Sequence, residues 1–326
     1  MLLAIASILA GLVLLVWSAD KFVEGAAATA RHLGMPTLLI GMVIIGFGTS
    51  APELAVSAMA AADGNPGLAL GNGYGSNITN IALIVGLTAV IAPISVHSQV
   101  VRKELPLLVL LTLFAGTQLL DGELSRPDGF ILLLLFAGIM GWSIYQGMRG
   151  EGDTLADDAE VMALQMPLKI ALIWLAAGLV LLVVSSRMLV WGAVTIAQAL
   201  GVSDLVIGLT IVAIGTSLPE LASALASVRK NEHDLILGNI LGSGIFNTLA
   251  VVGLAAAIEP MQVAPVVLAR DWTLMLGLTV LLLLMGLGLT SRQRTIGRID
   301  GGLLLLAWVT YTGYLLNTVI SGAATV

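Results

Sequence analysis

The chain has 326 residues, of which 58% are hydrophobic and only 10% are charged, and its mean hydropathy is +1.03. Because soluble domains carry about 25% charged residues, this composition excludes a soluble globular protein and indicates an integral membrane protein. The net charge of -6 says little about partners, since much of it lies in one loop. The sequence has no cysteine, which excludes disulfides and thiolate metal sites.

The apolar stretches are long enough for transmembrane helices, since about 20 apolar residues cross the roughly 30 Å of hydrocarbon in a bilayer. Continuous apolar runs, rather than ten-residue alternation, favour helices over a barrel of strands. We predict an all-α polytopic membrane protein with ten transmembrane helices, five in each half. The predicted spans are 2–22, 36–61, 67–92, 104–121 and 127–148, followed by 168–190, 203–228, 234–258, 269–290 and 299–320.

The second half of the chain repeats the first after a shift of 167 residues (238 minus 71). LAGLVLLVWSADKFVEGA at 9–26 matches AAGLVLLVVSSRMLVWGA at 176–193, and GNGYGSNITN at 71–80 matches GNILGSGIFN at 238–247. A repeat of this length is a duplicated half, as in many transporters, and is too long for a solenoid period. Because each half has an odd number of predicted spans, the second repeat is expected to be inverted.

The predicted domains are a first repeat at 1–148, an acidic linker at 149–166 and a second, inverted repeat at 167–326. The positions of Lys and Arg agree with this inverted arrangement. Of the 14 Lys and Arg residues, all but Arg126, Arg187 and Arg270 fall on one predicted side of the membrane. Cytoplasmic loops carry the excess of Lys and Arg. Both termini are therefore predicted to face away from the cytoplasm and the linker to face it, in a cell (inner) membrane.

One repeated motif places a carboxylate inside a predicted span of each half. It reads GFGTSAPE at 46–53 and AIGTSLPE at 213–220. Ionisable groups at membrane depth are costly and usually face a cavity that handles an ion or a proton. Glycine and proline in such a span free backbone carbonyls, which can coordinate a cation. Carboxylates, hydroxyls and carbonyls are hard oxygen donors that suit Ca²⁺ or Na⁺ rather than soft metals.

The purely structural interpretation of this motif is a proline kink with a protonated glutamate. The presence of two equivalent copies makes this interpretation less favoured. Of the 20 acidic residues, only Glu53 and Glu220 lie deep in a predicted span, and no Lys or Arg is placed to neutralise them. Protons or bound cations would have to do so. Two carboxylates balance one divalent or two monovalent ions, so we predict one shared cation site. The hydroxyls three and four residues before each glutamate share its helix face: Thr49, Ser50, Thr216 and Ser217.

A second repeated motif follows in the next span of each half. Its polar residues recur every four positions and form one stripe of a helix. Their neighbouring glycines are predicted to allow close helix packing, whereas Ser76, Asn80, Ser243 and Asn247 are predicted as ion ligands. The two stripes are Asn72, Ser76 and Asn80, and Asn239, Ser243 and Asn247, and the glycines are Gly71, Gly75, Gly238, Gly242 and Gly244.

Together, the paired GTS-x-PE and GN-x-x-GS-x-x-x-N motifs resemble the α-repeats of the sodium/calcium exchangers, in the Ca²⁺:cation antiporter superfamily. The resemblance covers essentially the whole chain, and the short linker is similar to that of the compact prokaryotic members. It implies a Na⁺/Ca²⁺ antiporter that works by alternating access at one midplane site. The transported ions would be Ca²⁺ and Na⁺, with H⁺ as a further candidate. We expect no cofactor, no nucleic acid and no obligate protein partner.

The resemblance also implies ligands. Ca²⁺ would be held mainly by Glu53 and Glu220, with the backbone carbonyls of Thr49 and Thr216. Na⁺ ions would share these glutamates and use Ser50, Ser76, Ser217, Ser243, Asn80 and carbonyls near Gly46 and Ala213. One position departs from the pattern, because well-known members carry Asp where this chain has Asn247. That departure leaves the ion stoichiometry and any K⁺ dependence open.

Four other functions fit the sequence less well. A structural membrane scaffold would not need two buried, unpaired acids. A H⁺-driven Ca²⁺ antiporter of the same superfamily ranks second. The proton exchangers usually carry GN-x-x-E-H in the second motif, whereas this chain has GNGYGSN and GNILGSG. A passive cation channel is disfavoured by the inverted halves and the lack of a pore motif. An enzyme is disfavoured because no span holds a nucleophile and base: cysteine is absent, and His32, His97 and His233 lie near predicted segment ends.

Overall fold

The structure is a computed structural model, and it describes residues 1–34, 37–64, 66–96, 100–148, 166–200, 213–288 and 294–320. Within these ranges the chain is helical apart from turns and four strands of two residues each. Three predicted features lie outside the described residues. They are His97, nearly all of the linker 149–166, and the part of the predicted span 203–228 that precedes residue 213.

In the first half, several helices are continued by π-helical turns, which are wound more widely than an α-helix and often occur at functional sites. These turns are Gly41–Gly46, Thr79–Val85 and Val100–Glu104. The α-helices are α1 (Leu2–Leu33), α2 (Thr37–Ile40), α3 (Phe47–Thr49), α4 (Ala51–Ala62), α5 (Pro66–Ile78), α6 (Gly86–Ile91), α7 (Leu105–Thr117) and α8 (Arg126–Met148).

The second half follows the same plan over its described residues. Its π-helical turns are Phe246–Val251 and Val267–Trp272. Its α-helices are α9 (Leu168–Ala199), α10 (Ala213–Thr216), α11 (Leu218–Arg229), α12 (His233–Ile245), α13 (Val252–Ile258), α14 (Thr273–Gly286) and α15 (Arg298–Ile320).

Among the described residues, seven helices are long and apolar enough to cross a bilayer. An eighth span is formed if Thr37–Thr49 and Ala51–Ala62, which meet at a bend of 44°, are counted together. The fold is therefore a mostly helical, polytopic membrane fold. The two long helices nearest the centre are Pro66–Ile91 and His233–Ile258, since 67% and 89% of their apolar windows are buried, against 11% for the peripheral α8.

Two helices are longer than predicted. The spans 2–22 and 168–190 were wrong at their carboxyl ends, because α1 and α9 each run for 32 residues. At 1.5 Å per residue each is about 48 Å long, which exceeds the roughly 30 Å of hydrocarbon. Charged residues after residue 19 suggested a loop, but Lys21 and Glu24 pair at 2.9 Å on the side of the continuing helix. The helix ends at Gly34, whose φ of 60° is the left-handed conformation typical of a helix stop.

The helices α1 and α9 pack antiparallel with their backbones in contact. A methyl group added to Gly25 would lie 2.7 Å from the carbonyl oxygen of Ala171, and one added to Gly192 would lie 2.7 Å from the carbonyl oxygen of Ala4. The shift of 167 residues converts Gly25 into Gly192 and Ala4 into Ala171. The two contacts are therefore images of each other, one at each end of the helix pair.

Glycines also bring the bent helix, which is formed by Thr37–Thr49 and Ala51–Ala62, into contact with α12. A methyl group added to Gly41 would lie 2.9 Å from the Cα of Gly238, and one added to Gly46 would lie 2.9 Å from the backbone nitrogen of Ser243. A methyl group added to Gly242 would lie 2.2 Å from the carbonyl oxygen of Met42. No side chain fits between these backbones. The prediction that Gly238 and Gly242 serve close packing is thus confirmed.

The equivalent prediction for Gly71 and Gly75 stays a prediction, because residues 203–212, which correspond to 36–45 of the bent helix, lie outside the described residues. Gly73 makes a close contact with the second half, at 3.0 Å from a methyl group of Val252 and 3.3 Å from the carbonyl oxygen of Asn247. Gly244 faces the side chain of Leu108 at 3.2 Å.

Short antiparallel strands join the two halves outside the helices. β1 (Ile94–Ser95) pairs with β4 (Thr295–Ile296), and β2 (Glu123–Leu124) pairs with β3 (Met261–Gln262). In each pair, one strand follows a central helix of one half and the other precedes the last helix of the other half. These pairings fix how the ends of the two halves meet.

We expect Gly242→Ala to destabilise the protein, because its methyl group would overlap the backbone of the bent helix. Overpacking of this kind costs about 1–3 kcal/mol, so the midpoint of thermal unfolding in detergent should fall. The matched control is Gly302→Ala on α15, where an added methyl group meets no described atom within 4 Å. Equal midpoints for the two variants would contradict the close packing.

Candidate ion-binding site

Both copies of the first motif break their helix at the same residue. Ser50 separates α3 from α4 with φ -86° and ψ 2°, and Ser217 separates α10 from α11 with φ -89° and ψ 5°. Pro52 and Pro219 lie in the first turn of the following helix, where a missing N–H is tolerated. The sequence repeat is therefore reproduced in the local backbone.

The proline also leaves the carbonyl four residues before it without a helical partner. In the second half this carbonyl belongs to Gly215, and the hydroxyl of Ser186 donates to it at 2.6 Å. Ala19 occupies the position of Ser186 in the first half, and alanine cannot donate. The two breaks are thus alike in backbone conformation and different in how their carbonyls are satisfied.

The carboxyl groups of Glu53 and Glu220 lie in the first turn of α4 and α11. Each residue is only 1% exposed. Both carboxyl oxygens of Glu53 and Oε2 of Glu220 have no hydrogen-bond partner among the described residues. None of the ion pairs between described residues includes either glutamate. Oε1 of Glu220 lies 3.4 Å from the hydroxyl oxygen of Ser50, three residues before Glu53, so the two copies of the motif are in contact.

Hydroxyl groups connect the motif of the first half to the second half. The hydroxyl oxygen of Ser50 lies 2.9 Å from that of Ser243 and 3.4 Å from Oε1 of Glu220, and it can donate to either. The hydroxyl of Thr49 lies 3.1 Å from Oδ1 of Asn239. The close glycine contacts between the bent helix and α12 make these distances possible.

The amides of Asn80 and Asn247 lie in the π-helical turns that continue α5 and α12. They are 2% and 0% exposed. Oδ1 of Asn80 and both amide atoms of Asn247 lack a partner among the described residues. Burying a polar group without a hydrogen bond is costly, so such a concentration of unpartnered atoms indicates a place for a polar ligand.

The remaining predicted site residues fall into three groups. Ser76, Ser217 and Ser243 are buried, and the hydroxyl of Ser217 has no described partner. Thr216 is half-buried, and the carbonyl of Gly46 accepts the backbone N–H of Ser50 at 3.1 Å. The backbone of Ala213 is helical, and its side chain lies outside what the structure describes.

The structural roles of two asparagines near the site, Asn72 and Asn77, were not predicted. Asn72 donates to the Glu53 carbonyl at 3.1 Å and to the Ser57 hydroxyl at 2.9 Å, so it positions α4. Asn77, which is 3% exposed, donates to the Thr248 hydroxyl at 2.8 Å and joins the central helices. Its repeat equivalent is Gly244, so the repeat carried no signal for it.

Chemically, the site has two carboxyl groups surrounded by neutral hydroxyl and amide groups. The described residues contain no group of three or more His, Cys, Asp or Glu that could hold a metal. A cluster of hard oxygen donors with only two negative charges, buried between membrane helices, defines a protein that handles cations within the membrane.

Comparison with known proteins gives the family. The profile described as "Sodium/calcium exchanger protein" matches residues 3–145 and 170–317. The chain therefore belongs to the sodium/calcium exchanger family, as its motifs predicted. It is an antiporter of cations and not an enzyme, and ion exchange in this family uses no cofactor.

Similar proteins match along nearly their whole length. A protein of Alkalimonas amylolytica designated antiporter CaxA is 46% identical over 313 residues, which cover 95% of this chain and 98% of that protein. The inner membrane protein YrbG of Escherichia coli (strain K12) is 43% identical, with 87% of this chain and 89% of that protein covered. The structure of the sodium-calcium exchanger NCX_Mj superposes with a TM-score of 0.82 at 33% identity, covering 95% and 97% of the two chains.

We expect Asn247→Asp to raise the affinity for Ca²⁺ on the order of tenfold, which corresponds to about 1.4 kcal/mol. A third carboxylate in the site would add a full negative charge facing a divalent ion. Calcium titration calorimetry on the purified protein measures the change. Gln118→Glu, which adds a charge at a half-buried position just after α7, is the control. An unchanged affinity in Asn247→Asp would remove Asn247 from the site.

Proposed function

We propose that the protein exchanges Na⁺ for Ca²⁺ across the membrane by alternating access at one site shared by Glu53 and Glu220. The observation that supports this most is the burial of both carboxyl groups, three of whose four oxygens have no hydrogen-bond partner among the described residues. Membership in the sodium/calcium exchanger family and similarity to NCX_Mj support the same ions.

Competition for the carboxylates accounts for exchange. One Ca²⁺ or two Na⁺ ions neutralise two carboxylates, and both cations prefer oxygen ligands. The neutral ligands around them are Thr49, Ser50, Ser76, Asn80, Thr216, Ser217, Ser243 and Asn247, with carbonyls near Gly46 and Ala213. An empty site would leave two carboxylates buried and unneutralised, which is costly. The transporter would therefore change its accessible side mainly when the site is loaded.

The proposed architecture is ten transmembrane helices in two inverted repeats, 1–148 and 167–326. The reciprocal contacts of Gly25 and Gly192 in the antiparallel α1–α9 pair support it. So do the matching helix breaks at Ser50 and Ser217. Inverted repeats place a site near the midplane and allow one bundle to rock against the other.

The proposed location is the inner membrane, with both termini non-cytoplasmic and the linker 149–166 cytoplasmic. The excess of Lys and Arg on one predicted side supports this orientation. The relative YrbG carries the name inner membrane protein. Fusions of a reporter enzyme to each terminus would test the orientation.

The test of the function is uptake of ⁴⁵Ca²⁺ by proteoliposomes that are loaded with Na⁺ and diluted into Na⁺-free buffer. We expect an outward Na⁺ gradient to drive uptake, and Glu53→Gln or Glu220→Gln to abolish it without unfolding the protein, because the amide removes the charge and keeps the shape. Glu259→Gln, at an exposed glutamate, is the control. Wild-type uptake by either site variant would refute the site.

A separate pH gradient distinguishes the rival coupling ion. Uptake that follows only the pH gradient would move the protein to the H⁺-driven antiporters and make Glu53 and Glu220 its proton carriers. Uptake without any opposing gradient, and at a rate that does not saturate, would instead indicate a passive channel.

Calcium binding should weaken as the pH is lowered, because a ligand carboxylate must be deprotonated to hold a metal ion. The measurement is Ca²⁺ affinity by calorimetry from pH 8 to about pH 4, a range that includes the ordinary Glu pKa near 4.3. A constant affinity across this range would mean that protons do not compete for the two carboxylates.

A further inference from the structure

The two halves are packed differently in this structure, although their sequences are equivalent. Ala222 and Ala226 of α11 are 8% and 4% exposed, and they belong to the hydrophobic cluster that includes α1. Their equivalents in α4 are Ala55 and Met59. Ala55 is exposed and Met59 is 66% exposed. The helix α1 therefore covers α11, whereas α4 is left uncovered at the matching positions.

The ion site has the same asymmetry. Ser50 contacts both Ser243 and Glu220 of the other half, whereas the hydroxyl of Ser217 and both carboxyl oxygens of Glu53 have no described partner. Alternating access in an inverted repeat rocks one bundle against the other around a fixed site, and our premise is that the two halves exchange their conformations in the opposite state. Contacts present in one half then predict those that the other half makes in the opposite state.

Two ion pairs lie on the covered side, and the first is formed by Arg31 of α1 and Glu232, which follows α11. In the second, Nζ of Lys230, at the end of α11, is 3.0 Å from Oδ1 of Asp20 on α1. This pair bridges the α1–α9 pair and the helices that carry the site. It therefore belongs to the interface that must change if the α1–α9 pair moves along those helices.

The repeat equivalents of this ion pair carry the opposite charges. The shift of 167 residues converts Asp20 into Arg187 and Lys230 into Asp63. An acid on α1 facing a base becomes a base on α9 facing an acid. Arg187 and Asp63 are both exposed and form no ion pair with each other.

Resting on the alternating access of the proposed function, we propose that Asp63 and Arg187 form an ion pair in the oppositely facing state and replace the Asp20–Lys230 pair. The two pairs act as alternate latches, one for each state. In the predicted orientation the Asp20–Lys230 pair lies on the cytoplasmic side, whereas Asp63 and Arg187 lie on the opposite side, so one latch serves each face of the membrane. Each latch can close only in its own state.

Exposed ion pairs contribute little free energy. Each latch therefore shifts the equilibrium between the two states and does not lock the protein in either one. A contribution of this size shifts a two-state equilibrium about two- to fivefold. Asp63 and Arg187 are thus positioning residues for the transport cycle and make no contact with the transported ion.

The test measures the distance between spin labels in the full-length protein reconstituted in liposomes. The chain has no cysteine, so Val180→Cys on α9 and Leu120→Cys beyond α7, both at exposed positions, give a single labelled pair. Distances are recorded with Na⁺, with Ca²⁺ and without either ion. We expect two distance populations, with Lys230→Asp enriching the oppositely facing one because it opens the first latch.

Charge variants at the proposed latch decide the outcome. Asp63→Lys should reduce the oppositely facing population two- to fivefold, and the swap Asp63→Arg with Arg187→Asp should restore it. Glu259→Lys is the control for adding a charge at an exposed position. An unchanged ratio in Asp63→Lys, failure of the swap to restore it, or a single distance in every condition would overturn the proposal. Uptake of ⁴⁵Ca²⁺ by the wild type tests the transport function independently of this result.

Discussion

The burial of two carboxyl groups, without a basic partner in the part of the chain that the structure describes, is the constraint on which the rest of the structure depends. Glu53 and Glu220 are nearly inaccessible, and three of their four oxygens have no described partner. Such groups are stable only when a cation or a proton neutralises them. The protein surrounds them with neutral hydroxyl and amide groups, so that the charge of the site is set by its occupant.

Glycine makes this arrangement possible. The bent helix and α12 approach so closely at Gly41, Gly46 and Gly242 that any side chain would meet backbone atoms. This approach brings Ser50 of one half against Ser243 and Glu220 of the other. A bulkier interface would move these oxygens apart, and each carboxylate would then lie in a separate half-site with half of the ligands.

Much of this could be predicted from the repeat, because a motif that occurs twice identifies the buried glutamates and their neighbours without an alignment. Other features could not. Hydropathy ended α1 too early, because it does not show that Lys21 and Glu24 pair along a continuing helix. Equal repeats suggested equal packing, but Ala55 and Met59 are exposed where their equivalents Ala222 and Ala226 are buried. Equal motifs predict equal packing in the two halves, whereas the structure shows a single conformation in which the two halves are packed differently.

The neutral residue at position 247 has an energetic consequence for the transporter. If the proposed exchange runs at the charge of the two carboxylates alone, with Asn80 and Asn247 uncharged, one Ca²⁺ is exchanged for two Na⁺ ions. A cycle built on that balance carries no net charge across the bilayer. The membrane potential, worth about 2.3 kcal/mol per elementary charge at 100 mV, would then do no work on it. The Ca²⁺ concentration ratio would follow the square of the Na⁺ ratio, so a cell that lost its voltage would keep its calcium gradient for as long as it kept its sodium gradient.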